Sequence, residues 1–228
     1  MLGALIFDLD DTLLDTSRLL VPQAERESCL AMIQAGLNSD LETCLAKRKE
    51  LIARNLRTQA FEWIVRELGT RGQADPKAVS AAGHRAFYER KVESSIRLES
   101  EVLNLLERLK AKYELYLVTA GSASTQKQKV EILKIESYFR KLFYVELSKG
   151  ETKEQAFREV SNLSQVSNSS ILSIGDRIDT DIAGAKALGM KACLVAKGEY
   201  ARLKPLNSLE EPDFKVKQVT EIESVCRL

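Results

Sequence analysis

Three short apolar runs stand out along the chain, and each ends abruptly in small or acidic residues. Leu2 to Phe7 stops at Asp8, Glu114 to Val118 stops at Thr119-Ala120-Gly121-Ser122, and Ile171 to Ile174 stops at Gly175-Asp176. Continuous apolar runs of this length suit strands buried on both faces, as in a parallel sheet. Helical patterns accompany them: Glu101 to Lys112 precedes the second run with leucines at helical spacing, Ser124 to Ile135 follows it, and Asp179 to Leu188 follows the third. Alternation of strand and helix predicts an α/β fold, a Rossmann-like, doubly wound and mostly parallel sheet. In such sheets ligands bind just beyond the carboxyl ends of the strands.

Between Thr16 and Glu93 the strand-like runs disappear and helical periodicity takes over, interrupted near Gly36-Leu37-Asn38, Gly69 to Gly72 and Asp75-Pro76. The alternation resumes afterwards. The predicted division is therefore an α/β core of residues 1–15 and 94–228, with an all-helical insert at residues 16–93 placed after the first strand. Residues 141–149, 191–196 and 214–219 supply further strands, and the segment after Pro212 reads as a last strand and a short helix. There is no internal repeat or low-complexity tract.

Composition narrows the partners. With 228 residues, 44% hydrophobic and 29% charged, the chain has the make-up of an ordinary soluble globular protein. A formal net charge of +1 offers no single-sign field to steer a polyanion, so nucleic acid is not an expected partner. Cys29, Cys44, Cys193 and Cys226 lie singly, without the close pairing of zinc or redox motifs, and read as the reduced thiols of a cytoplasmic protein. The apolar start is too short for a signal-peptide core, and no stretch reaches the roughly 20 uncharged residues of a membrane span, so no membrane association is expected.

The most informative stretch is Phe7-Asp8-Leu9-Asp10-Asp11-Thr12. Asp8 and Asp10 are two apart at a strand terminus and on a continuing strand would share a face. Two carboxylates about 4 Å apart repel by roughly 4 kcal/mol at an effective dielectric near 20, so a cation or a proton must settle the conflict. Hard oxygen ligands favour Mg²⁺, which takes one or two carboxylates together with substrate phosphate. An aspartate can attack phosphorus to form an aspartyl-phosphate, and a neighbouring carboxyl can serve as acid and then as base. The competing reading of Asp8 to Asp11 is an acidic turn that caps a helix. A second acidic cluster, Gly175-Asp176-Arg177-Ile178-Asp179-Thr180-Asp181, weighs against it. A helix N-terminus explains Asp179, assigned to capping, but not Asp176 directly after a strand. The Thr119 to Ser122 turn makes a third convergent loop able to present backbone N–H groups to phosphate.

Together, D-x-D-x-T after an N-terminal strand, a hydroxyl residue ending a second strand, a downstream lysine and G-D-x-x-x-x-D resemble the haloacid dehalogenase superfamily across the whole chain. The resemblance implies Asp8 as nucleophile and metal ligand. It implies Asp10 as general acid and base, with its backbone carbonyl toward Mg²⁺, and Asp176 as the third protein ligand. Thr119, with the Ala120 and Gly121 backbone, would bind the phosphoryl group, and Asp181 would support the metal directly or through another ligand. The family lysine falls on Lys153, at the start of a helix beginning near Thr152, or on its competitor Lys149; neither has the neighbouring proline common in the family. The insert would be the family's helical cap. The implied protein is a Mg²⁺-dependent phosphatase acting on a small phosphorylated metabolite, as a monomer or homodimer.

Within the insert, Arg18, Arg54, Arg57 and Arg90 read as solvated charges, and Phe61, Trp63, Phe87 and Tyr88 as cap core. His84, the only histidine, has no metal-ligand partner at useful spacing. A true dehalogenase would leave Asp10 and Asp176 without a purpose. A phosphomutase or phosphonatase on the same core, and a non-catalytic binding or regulatory protein, are the remaining alternatives.

Overall fold

The computed structural model describes residues 2–54 and 56–228. The elements begin with strand β1 (Ala4–Phe7), followed by helices α1 (Thr16–Leu19), α2 (Val21–Gln34), α3 (Leu41–Ala53), α4 (Ala60–Leu68) and α5 (Pro76–Tyr88). Next come α6 (Ser100–Lys110), β2 (Glu114–Ala120), α7 (Ala123–Leu133), β3 (Lys141–Val145) and α8 (Lys153–Ser164). The chain continues through β4 (Ile171–Gly175), α9 (Ala183–Ala187), β5 (Lys191–Val195), β6 (Phe214–Val216) and α10 (Ile222–Val225).

All six strands form one sheet in the order β3-β2-β1-β4-β5-β6, every neighbouring pair parallel. The chain winds outward from β1 through β2 to β3, then returns to lay β4 on the other side of β1. That reversal makes a topological switch point between β1 and β4, where the loops on either side diverge and leave a crevice. Leu117 and Ile174 are both level with Phe7, so Asp8, Thr119 and Asp176 all lie at the same carboxyl edge of the sheet, Thr119 still within β2. β1 is buried along its whole length, as a central parallel strand must be when helices cover both faces. Ala4 and Ile6 join Tyr116, Val118, Phe157, Val160 and Ile182 in one apolar cluster. Leu5 and Phe7, equally buried, point to the other face, with Phe7 packed edge-on to Phe139.

The structure divides into two compact units, residues 1–19 with 92–228, and residues 20–91. The second is all helical. Its core is built on Met32, Leu37, Leu51, Phe61, Ile64, Val65 and Val79. Asp40 caps α3 by accepting from the Thr43 N–H at 2.9 Å, and Asp75 caps α5 with Pro76 in its first turn. Gly83 on α5 lies where a Cβ would come within 2.8 Å of Met32 and Phe61, so a glycine there lets α5 approach the α2 side chain closely.

Three elements depart from the sequence reading. The strand expected over 141–149 ends at Val145, and residues 147–149 form a single tight turn. The strand expected over 214–219 ends at Val216. The helix expected from Asp179 opens instead as a wide π-turn over Ile178–Ile182 before α9. There the Asp181 and Ile182 N–H groups both donate to the Arg177 carbonyl, at 3.0 and 3.2 Å. Among the described residues no helix is long and apolar enough to cross a membrane.

Candidate active site

The β1 ladder extends one residue beyond the strand, with the Asp8 N–H donating to the Ile174 carbonyl at 2.9 Å, and this fixes the Asp8 side chain at the crevice. Asp176 leaves β4 one residue after Gly175. Asp181 comes back to the same place because the π-turn carries it inward. The three carboxylates are all buried and each offers an oxygen within 4.8 Å of the others. Gly175 makes this possible: a Cβ there would overlap the Asp181 carboxyl.

Burial of three acids together is costly unless their charge is met. Lys153 meets part of it, donating at 2.6 Å to both Asp8 and Asp181. Its helix opens on a capping box, in which Thr152 accepts from the Gln155 N–H at 3.3 Å and Gln155 accepts from the Thr152 N–H at 2.9 Å. A lysine in the first turn of a helix opposes the macrodipole, and the paired carboxylates hold it there. Burial pulls the Lys153 ammonium down, yet Asp181 and Asp8 outweigh it and hold it above the usual lysine range. Lys149 lies apart from the site, with its side chain 64% exposed and paired to Glu146.

One ammonium does not neutralise three carboxylates. Burial, opposed by Lys153 and reinforced by Asp181 and Asp10, pushes Asp8 up to about 7. Burial and the charges of Asp8 and Asp181 also push Asp176 well above the usual carboxylate range. No ion pair holds the Asp176 carboxylate among the described residues. The donor set of Asp8, Asp176 and Asp181, all hard oxygens with charge to spare, fits a divalent cation such as Mg²⁺.

On the other side of β1, Thr119 is fully buried near the end of β2, and its hydroxyl has no hydrogen-bond partner among the described residues. A buried hydroxyl left unbonded costs about 1–3 kcal/mol, a cost that a hydrogen bond to a ligand atom would remove. The turn after it is shaped by Gly121, whose φ of +145° suits only glycine and whose missing Cβ leaves room for the Gln126 amide.

Asp10 is arranged differently from the sequence expectation. β1 ends at Phe7, the chain turns, and the Asp10 carboxylate does not join the acidic group. Its Oδ1 accepts from Thr16 at 2.5 Å and Lys129 at 2.7 Å; its Oδ2 accepts from Lys129 and Gln126, both at 2.8 Å. The repulsion between Asp8 and Asp10 is thus met by a separate lysine for each. Burial would raise Asp10, but the Lys129 charge and these hydrogen bonds hold it below the usual carboxylate range. Asp179, expected to cap a helix, pairs instead with Arg177 at 2.6 Å, because the π-turn removes the helix start it would have capped.

A family model for haloacid dehalogenase-like hydrolases matches residues 5–195, a span that takes in all of these groups. The chain belongs to that family. This haloacid dehalogenase-like hydrolase is 29% identical to a glyceraldehyde 3-phosphate phosphatase of Methanopyrus kandleri, over 100% of this chain and 98% of the relative. It is 32% identical to one of Pyrococcus abyssi over 84% of this chain and 80% of the relative. An N-acylneuraminate-9-phosphatase of Homo sapiens is 26% identical over 98% and 93% of the two chains. The fold is shared with the magnesium-bound HAD-hydrolase YfnB from Bacillus subtilis, at a TM-score of 0.67, 21% identity and coverage of 98% and 97%. It is also shared with the haloacid dehalogenase-like family protein SP0104 from Streptococcus pneumoniae, at a TM-score of 0.67, 20% identity and coverage of 98% and 97%.

In this hydrolase the structure brings together Asp8, Asp176, Asp181 and Lys153, and leaves Lys149 outside. Sequence reasoning missed Gln126 and Lys129. Both are buried on α7 beside Val130 and Leu133, at the spacing of one helical face, and two polar residues on an otherwise apolar stripe were the available signal. In the helical unit, Arg54 pairs with Glu50 and Glu67, while Arg90 donates to the Leu20 carbonyl and pairs with Glu27. Arg18, in the α/β unit, pairs with Asp15. Phe61 is buried, Trp63 lies against Arg66, and His84 stacks on Tyr88 beside Glu62.

Proposed function

We propose that the chain is a Mg²⁺-dependent phosphatase that hydrolyses the monoester of a small phosphorylated metabolite through an aspartyl-phosphate on Asp8. The observation that carries this reading is the pairing of a buried acidic group, under-neutralised by Lys153, with a buried and unbonded Thr119 hydroxyl at the same sheet edge. One half suits a cation and the other a phosphoryl oxygen. The sequence relatives named above are phosphatases of small metabolites, which supports the same class.

Asp8, Asp176 and the Asp10 carbonyl would hold Mg²⁺, with Asp181 in support. When bound, the ion would supply positive charge that keeps Asp8 ionised and draws electron density from the phosphoryl oxygens. Asp8 attacks phosphorus from the β1 terminus. Thr119 and the Ala120 N–H orient the phosphoryl oxygens, the Gly121 N–H being taken by the Val145 carbonyl at 3.0 Å, and Lys153 holds the Asp8 carboxylate in line while offsetting charge that develops on the oxygens. Asp10, which the Lys129 charge favours as the carboxylate, must take up a proton as the ester binds; it gives that proton to the departing alkoxide, then removes one from the water that opens the acyl-phosphate. Residues 20–91 serve as the cap that selects substrate and excludes water. The acidic group weighs against a dehalogenase, whose halide leaves without a proton.

The test is phosphate release from a panel of phosphorylated metabolites, with and without Mg²⁺. Metal-dependent release is expected from wild type, and loss of roughly 10⁴-fold or more in Asp8→Asn. Release that survives Asp8→Asn unchanged, or no release from wild type on any ester, refutes the reading.

A further inference from the structure

Gln126 and Lys129 lie one turn apart on α7, only 3% and 6% exposed, with their polar ends toward Asp10. Lys129 donates to both Asp10 oxygens and Gln126 to one, across 119 and 116 residues of sequence. The same Gln126 amide nitrogen donates to the Ala120 carbonyl at 3.0 Å, and it occupies the space that a side chain on Gly121 would fill. The phosphate-binding turn and the Asp10 carboxylate are therefore tied to one amide group. An ordinary helix face would carry apolar residues at these positions, and burying an ammonium there for packing alone costs free energy.

We propose that Gln126 and Lys129 are positioning residues that register the Asp10 carboxylate against the phosphate-binding turn, so that proton donor and phosphoryl group are held in one geometry. This rests on the phosphatase reading, with Asp10 as its acid and base. Neither residue touches the reacting atoms; both act through Asp10. Thr16 completes the clamp from α1.

Because the clamp acts through proton transfer to the leaving group, its loss is felt where the leaving group needs a proton. Glyceraldehyde 3-phosphate releases an alkoxide that must be protonated, whereas p-nitrophenyl phosphate releases a phenolate that departs without one. The quantity to compare is kcat/KM, which ends at leaving-group departure and is blind to later hydrolysis of the intermediate. Lys129→Met is expected to lower kcat/KM about 10²-fold or more on the alkyl ester and less than about 5-fold on the aryl ester, the signature also expected of Asp10→Asn. The Lys129→Met/Asp10→Asn double variant is expected to be no slower on the alkyl ester than Asp10→Asn alone, since residues acting as a unit are not additive.

Gln126→Leu keeps the Lys129 charge and removes the two bonds of the Gln126 amide, to Asp10 and to the Ala120 carbonyl. It is expected to show the same selectivity at about 10-fold, and it decides the matter if Lys129→Met does not fold. Equal losses on both esters, or a double variant in which the losses multiply, overturn the inference. Wild-type turnover of both esters upholds the phosphatase reading however the variants fall, whereas a wild type inert toward every ester of the metabolite panel removes that reading and the clamp with it.

Discussion

At the scale of the residue, Asp8 carries opposing demands. A nucleophile must be ionised, yet burial pushes its carboxyl up to about 7 in the metal-free protein. An acid whose folded-state pKa is raised favours the folded state while protonated and loses that contribution as pH climbs from the unfolded value toward the folded one. Metal-free wild type is therefore expected to lose stability relative to Asp8→Asn as pH rises from about 4 to about 7, since the asparagine has no charge to desolvate. Thermal unfolding of both proteins in chelator, across that pH range, checks the sign. A difference that shrinks or stays flat with pH would show that Lys153 already compensates the Asp8 charge in full.

At the scale of the element, the turn from β4 into α9 sets the shape of the acidic group. An α-helix starting at Asp179 would turn Asp181 at 100° per residue along a regular face; the π-turn instead tucks its carboxyl over Gly175, where Lys153 and the Arg177 N–H hold it at 2.6 and 3.2 Å. Gly175→Ala places a methyl group into that carboxyl. The variant is expected to lose about 1–3 kcal/mol of stability, the usual cost of overpacking, and to release phosphate more slowly. Urea unfolding together with the phosphate assay checks it; a fully stable and fully active alanine variant would mean that the turn relaxes freely.

At the scale of the whole molecule, the crevice exists because the sheet reverses its winding at β1 and β4 and delivers acids from two strand ends to one point. If those acids hold a cation in the folded state and the unfolded chain does not, binding must stabilise the fold by mass action, about 2.7 kcal/mol at 100 times the dissociation constant. Mg²⁺ titration is expected to raise the unfolding temperature of wild type and to leave that of Asp176→Asn nearly unchanged. Equal shifts in both would place the ion elsewhere.

Much of this arrangement is local and was legible in the chain. Apolar runs that stop at Asp8, Thr119 and Asp176 mark buried parallel strands, because strand periodicity and burial on both faces write themselves into consecutive residues. The helical insert and the capping signal at Thr152 are likewise short-range features. What tertiary structure alone decided involves partners far apart in sequence. Lys153, and not Lys149, reaches the acids because α8 starts where β3 has ended and buries its first residue. Asp10 lies away from the acidic group because Lys129 and Gln126, more than a hundred residues distant, supply charge and hydrogen bonds that a continuing strand would not. Asp181 faces inward because a glycine in the neighbouring strand leaves the space. Local pattern sets which residues stand at the ends of strands; only packing between distant segments sets which charge faces which.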